Sequence, residues 1–220
     1  MNFPDGIIDY NLIWFGEIHG IKENYLAYKI LLPRLENLGF KTILWEMPSD
    51  FSSESSYTED GRINSFSVEF LEWAQSRIKI GGLENIILFG NRKPKKENGP
   101  IDYEKTMAEE ILDIISHNNV KKYVVITGNY HAQKMKERHD NTRRCIDYVE
   151  SELKLKILSV KIKYYGGSFY NYGLKKILIS STPQKSERDM LELSSIDKDI
   201  HAMNLRVSKA RAVFKNPTTK

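Results

Sequence analysis

The sequence predicts an α/β fold with a mainly parallel central sheet flanked by helices. Short apolar runs rich in β-branched and aromatic residues alternate with longer stretches whose apolar positions recur at helical spacing, the pattern of parallel strands joined by crossover helices. The early runs end in Gly or a polar residue, as strands do when they feed a functional edge. The composition is ordinary for a globular chain: 220 residues, 40% hydrophobic, 28% charged, with 13 Gly and 7 Pro, enough to bury a sizeable core.

Leu12-Ile13-Trp14-Phe15 is the first predicted strand. A helix follows over Lys22 to Leu38, with Leu26, Ile30, Leu31, Leu35 and Leu38 on one side; Gly39 closes it, and Pro33 should kink or split it. Lys41 to Trp45 is a second strand. Residues 49–65 are rich in Ser, Asp and Glu without periodicity and predict a surface loop or lid. A helix over Phe66 to Lys79, a strand at Ile86 to Phe89 and a loop from Arg92 to Pro100 come next. Tyr103 to His117 is an amphipathic helix and Tyr123 to Ile126 a fourth strand. A helix near 141–152 and strands near 155–163 and 174–180, with Gly166-Gly167 as a turn between them, complete a domain over residues 1–183. Residues 184–220 are polar and repeatedly charged, and predict a helical C-terminal extension near 187–213 with a fraying end.

Several classes are excluded. A single cysteine, Cys145, supports neither a disulfide framework nor a Cys-rich zinc module. No apolar run approaches the roughly 18 residues that span a bilayer, and the first six residues lack the basic and apolar regions of a secretory signal, so a cytoplasmic protein is expected. The net charge of +4 belongs to the end of the chain, since residues 201–220 hold Arg206, Lys209, Arg211, Lys215 and Lys220 and no carboxylate. A basic tail alone is not the stripe that nucleic-acid binding needs, and no such partner is expected.

The candidate chemistry collects after the strands. Gly16-Glu17-Ile18-His19-Gly20 follows the first, Glu46-Met47-Pro48 the second, Gly90-Asn91-Arg92 the third and Gly128-Asn129-Tyr130-His131 the fourth. Ligands of open α/β sheets bind outside the carboxyl ends of the strands, so these residues should face one crevice. The spacing Gly-x-x-His occurs twice there, giving Glu17, His19, Glu46 and His131 as catalytic candidates. Asn91, Arg92 and Tyr130 are substrate-binding candidates, Arg92 through its carboxylate-matching fork. Singly, each has a structural reading: a turn glycine, a hydrogen-bonded histidine, a carboxylate at a helix N-terminus. His117, His139 and His201 lack such context and are expected at the surface.

The stretch Gly16-Glu17-Ile18-His19-Gly20-Ile21-Lys22-Glu23-Asn24, with Leu38-Gly39-Phe40 and Glu46, resembles the opening of erythromycin-esterase-like proteins. These belong to a superfamily with the haem-binding ChaN-like and the TraB/Tiki metalloprotease-like proteins. The resemblance covers about residues 10–135 and extends through Met107-Ala108 to His131. It adds Glu23 to the substrate-binding candidates. Two departures stand out: the family's Arg-Asp pair before the Met-Ala segment is replaced by Tyr103-Glu104-Lys105-Thr106, and the long insertions of erythromycin esterases are missing.

No Gly-x-Ser-x-Gly nucleophile is present, so water is the expected attacker on an ester or peptide bond of a small-molecule or peptide substrate. His19 would act as general base, Glu46 would orient it or share the water, Glu17 would shape the charge, and His131 would serve the oxyanion or leaving group. The same Glu17, His19, Glu46 and His131 suit a divalent metal such as Zn²⁺ or Mn²⁺. A haem-binding module without catalysis, ligated by Tyr130, His19 or His131, is the alternative. Oligomeric state is left open.

Overall fold

The computed structural model describes residues 2–90, 102–118, 120–138, 140–177 and 191–213. Its frame is a seven-stranded sheet in the order β3-β2-β4-β1-β5-β9-β8. The strands are β1 (Leu12–Glu17), β2 (Thr42–Glu46), β3 (Asn85–Phe89), β4 (Tyr123–Gly128), β5 (Ile157–Tyr164), β8 (Leu191–Leu193) and β9 (Ala202–Val207). All neighbours pair in parallel except β8, which runs antiparallel to β9 at one edge. β6 (Ser168–Tyr170) and β7 (Leu174–Lys176) form a separate antiparallel hairpin. The helices are α1 (Lys22–Glu36), α2 (Ser65–Lys79), α3 (Tyr103–His117) and α4 (Cys145–Glu152).

Strand alternation assigns each helix pair to a face. Ile13, Phe15, Ile43, Trp45, Val124 and Ile126 pack with Tyr25, Leu31, Phe70 and Leu71 of α1 and α2. The intervening Leu12, Trp14, Leu44, Tyr123 and Val125 pack with Ala108, Ile111, Ile146 and Val149 of α3 and α4. Both faces are covered, which is why these strands are near-continuous apolar runs. β1 and β4 are neighbours, yet the chain leaves β1 for α1 on one face and β4 for α4 on the other. Adjacent parallel strands whose connections part to opposite faces open a crevice at their carboxyl ends.

The early elements form close to where the sequence predicts them. Gly39 ends α1 with φ +90°, and the amides of Gly39 and Phe40 bond back to Glu36 and Leu35. Pro33, expected to kink or split the helix, lies inside an unbroken α1. It sits in the last turn on a partly exposed flank, where only one backbone bond is forgone. The polar run at 49–64 has no regular structure, as predicted, but Phe51 and Ile63 anchor it in the core.

Two expectations about the later chain are corrected. The strand expected near 174–180 is only β7, outside the central sheet, and residues 178–180 lie outside the described residues. The helix expected near 187–213 is absent among the described residues: 191–213 contains β8 and β9, and β9 pairs with β5 inside the sheet. This stretch is therefore part of the domain and not an extension beyond residue 183. Met203, Leu205 and Val207 are buried while Arg206 is exposed, the period-two pattern of a strand that the surrounding charges obscure. Residues 184–190 and the end from 214 lie outside the described residues.

Leu205 is fully buried. Leu205→Ala should cost about 2–5 kcal/mol in urea unfolding, whereas a change on a solvated helix would stay within roughly 0.5 kcal/mol.

Candidate active site

Parallel register places Glu17 of β1 opposite Gly128 of β4, with Glu46 ending β2 on the other side of β4. Close approach requires glycine at position 16, and at position 128 a side chain would crowd His19. A Cβ on Gly16 would lie 2.8 Å from the Ala132 Cβ, in the turn that carries the second motif. A Cβ on Gly128 would lie 3.3 Å from His19 Nε2, 3.4 Å from His131 Cδ2 and 3.8 Å from Glu46 Oε2. Gly128 thus marks the point where both histidines and Glu46 converge. Neither glycine has a left-handed backbone, so packing rather than the sharp turn explains them.

Each histidine is held from behind by a buried carboxylate. His19 Nδ1 is 3.1 Å from Glu17 Oε1, and the other Glu17 oxygen accepts from the Tyr28 hydroxyl at 2.5 Å. His131 Nδ1 is 3.0 Å from both oxygens of Glu104, and Glu104 also accepts from the Cys145 amide at 2.7 Å. A carboxylate can only accept, so Nδ1 is the protonated nitrogen in each ring and Nε2 is left for the crevice. The histidine side chains remain 15% and 21% exposed while those of Glu17 and Glu46 are nearly sealed, so the imidazoles are the groups a ligand can reach.

Glu46 lies between them. Its Oε2 accepts from the Gly128 amide at 2.8 Å; its Oε1 is 3.1 Å from Arg62 Nη2 and 4.0 Å from His131 Nε2. Burial opposes its charge, but Arg62, both histidines and the Gly128 amide outweigh that and hold the carboxyl below its usual range. His131 shifts the other way. Burial disfavours its charged form, yet the Glu104 hydrogen bond and the charges of Glu46 and Glu104 prevail, and the imidazole titrates above its ordinary value.

Arg62 comes from the polar run predicted as a loop or lid. Asp60 accepts from the Arg62 amide at 2.9 Å and from the Thr58 hydroxyl at 2.5 Å, and Asn64 caps α2 through the amides of Phe66 and Ser67. The segment is a hydrogen-bonded knot that holds Arg62 over Glu46. Behind the first motif, Asn24 Nδ2 donates to the Ile18 carbonyl at 2.8 Å, and the Tyr164 hydroxyl bonds Asn24 at 2.5 Å.

The structure therefore brings together Glu17, His19, Glu46 and His131. Tyr130 stands at the rim, 53% exposed, its ring 5.8 Å from that of His131. Glu23 is elsewhere engaged: its oxygens accept from the Arg211 amide at 2.7 Å and the Arg211 Nε at 2.5 Å, so it ties down residues after β9 and does not line the crevice as a substrate-binding group. Asn91 and Arg92 lie outside the described residues, as does His139. Among the other histidines, His117 is exposed, but His201 is half-buried and bonded to the Tyr10 hydroxyl. Residue reading missed Arg62 and Glu104. Glu104 stands where the resembled family carries its Arg-Asp pair; Arg62 gave no signal beyond lying in a long connection.

Glu17 and Glu104 hold the histidine Nδ1 atoms from behind, an orientation that also serves metal-ligating histidines, and the Arg62 cation pairs with Glu46, the carboxylate nearest the two free Nε2 atoms. Among the described residues no group of three or more His, Cys, Asp or Glu side chains is disposed to hold a metal ion.

Glu104→Gln removes the anion that sustains the His131 charge, so His131 should titrate lower in NMR-monitored titration. A raised folded pKa stabilises below the unfolded value of about 6.5, and that contribution is lost as pH rises through the folded value. The stability gap between wild type and Glu104→Gln should accordingly be wider at pH 5–6 than at pH 9.

No family model matches the chain, and no curated protein does. Among solved structures, the fold is similar to that of the type III effector HopBA1, with a TM-score of 0.50 over 96% of each chain at 12% sequence identity. The likeness is one of fold. No described helix is long and apolar enough to cross a membrane.

Proposed function

We propose that the crevice is a hydrolytic active site in which protein groups alone activate water against an ester or peptide bond. The observation that carries this reading is the convergence of two carboxylate-backed histidines and an ionised Glu46 on Gly128.

His19, with Nδ1 bonded to Glu17, presents an unprotonated Nε2 that takes a proton from water. Glu17 fixes the tautomer and stabilises the imidazolium that forms, and Tyr28 holds Glu17 in place. His131, whose pKa is raised, is suited to the opposite role, because in its charged form Nε2–H donates to the oxyanion or to the leaving group. Glu46 polarises both rings and helps orient the water, while Arg62 keeps it ionised and adds a positive charge at the crevice. A base and an acid whose surroundings divide the two roles are what general acid–base hydrolysis requires.

What favours this mechanism over a metal-dependent one is Arg62, a cation already paired with Glu46 where a divalent ion would add further positive charge.

The test is a library of chromogenic esters and short peptides screened against wild type, His19→Ala, His131→Ala and Glu46→Gln. Each variant should lose about 10²–10⁴-fold in kcat/KM. Activity retained in all three would refute the mechanism. EDTA treatment should leave the wild-type rate unchanged, and elemental analysis of chelator-free protein should find no stoichiometric metal; a rate abolished by EDTA and restored by Zn²⁺ or Mn²⁺ would transfer the chemistry to a metal.

A further inference from the structure

Beside His131 lies a buried cation that the chemistry above does not use. Arg144 precedes the first residue of α4 and is only 7% exposed. Its guanidinium makes no hydrogen bond to any described residue, and its buried Nε has no partner. The nearest carboxylate, Asp140, is 3.6 Å away and half-exposed, beyond hydrogen-bond length. Of its neighbours, Arg143 bonds Ser151 at 2.6 Å and stacks on Tyr148, and Arg138 bonds Asp147 at 2.8 Å but leaves its own buried Nε and Nη1 without partners; Arg144 is the one that touches the crevice, through Tyr130. Asp147 is also taken by the Arg144 and Met135 amides, leaving it little capacity for a second guanidinium.

Nε is the atom of this guanidinium withdrawn from water without a partner, and an unpaired buried donor is costly, while the terminal nitrogens stay available to a ligand. One cover is visible: the Tyr130 ring lies 3.4 Å from the Arg144 guanidinium carbon, a cation–π contact. The same ring stands nearly perpendicular to the His131 imidazole. Guanidinium, phenol and imidazole thus run in sequence from Arg144 to the reacting crevice. The planar fork of an arginine matches the two oxygens of a carboxylate or phosphate, and Tyr130, half-exposed, is the group that can yield to admit one.

We propose that Arg144, covered by Tyr130, is an oxyanion-recognising subsite next to His131, and that the substrate carries a carboxylate or phosphate beyond its scissile bond. This rests on the hydrolytic reading for its catalytic meaning, but the anion site is testable without it.

The binding arm titrates wild-type protein with glutarate and with inorganic phosphate by calorimetry. Arg144→Gln should weaken binding about ten-fold or more, and Arg144→Lys should recover part of it, as expected for one charge-assisted pair. The tighter probe identifies the source as carboxylate or phosphate. The kinetic arm compares mono-p-nitrophenyl glutarate with p-nitrophenyl valerate, alike in chain length but ending in carboxylate or methyl. Arg144→Gln should raise KM for the glutarate at least ten-fold more than for the valerate. Absence of anion binding to wild type, or equal binding in wild type and Arg144→Gln, overturns the subsite. Neither ester being cleaved, with Arg144-dependent anion binding intact, upholds the subsite and counts against the hydrolytic reading instead.

Discussion

The carboxyl ends of β1 and β4 are neighbours whose chains depart to opposite faces, and the candidate site depends on that divergence. Because the strands are parallel and in register, Glu17 and Gly128 stand side by side, and the two following turns must share one small space. Room for both comes first from residue 16, where a side chain would strike Ala132, and is eased at residue 128, where one would crowd His19. The Ala132 Cβ fills the volume above Gly16, and the two imidazoles fill that beside Gly128. Close packing of backbone, rather than an unusual backbone conformation, is what sets the histidines within reach of a common point.

Burying carboxylates at this edge has to be offset by nearby donors, and each donor comes from a different part of the chain. Glu17 is met by Tyr28 of α1, Glu46 by the β4 amide and by Arg62 ahead of α2, and Glu104 by the Cys145 amide opening α4. An isolated buried anion would cost several kcal/mol, so these contacts are conditions of folding as well as of chemistry. The resulting field separates the two titrating partners of the site, lowering Glu46 and raising His131.

Much of this could be read from the sequence where the signal is local. The first four strands and three of the helices follow from apolar runs and periodicity, and the topological rule for parallel sheets places Glu17, His19, Glu46 and His131 at one edge. What could not be read is partnership at long range. Glu104 resembles any acidic residue in a first helical turn, and its role appears only when α3 packs beside β4. Arg62 is one charge in a polar connection until Thr58, Asp60 and Asn64 knot that segment over Glu46. Glu23 shares a motif with His19 yet is claimed by Arg211, because α1 turns its first residues toward the segment after β9. In β9, alternating Met203, Leu205 and Val207 are outweighed in composition by the charges around them, so a half-buried strand passes for a solvated helix.

The contact between Glu23 and Arg211 joins residues 188 positions apart, and the amides of Lys22 and Val213 bond across the same seam to Arg211 and Gly20. The turn bearing His19 is therefore held from two distant parts of the chain, by β1, which it continues, and by the residues that follow β9. A change at Arg211 reaches the first motif through the Glu23 carboxylate and the backbone seam without touching the crevice itself.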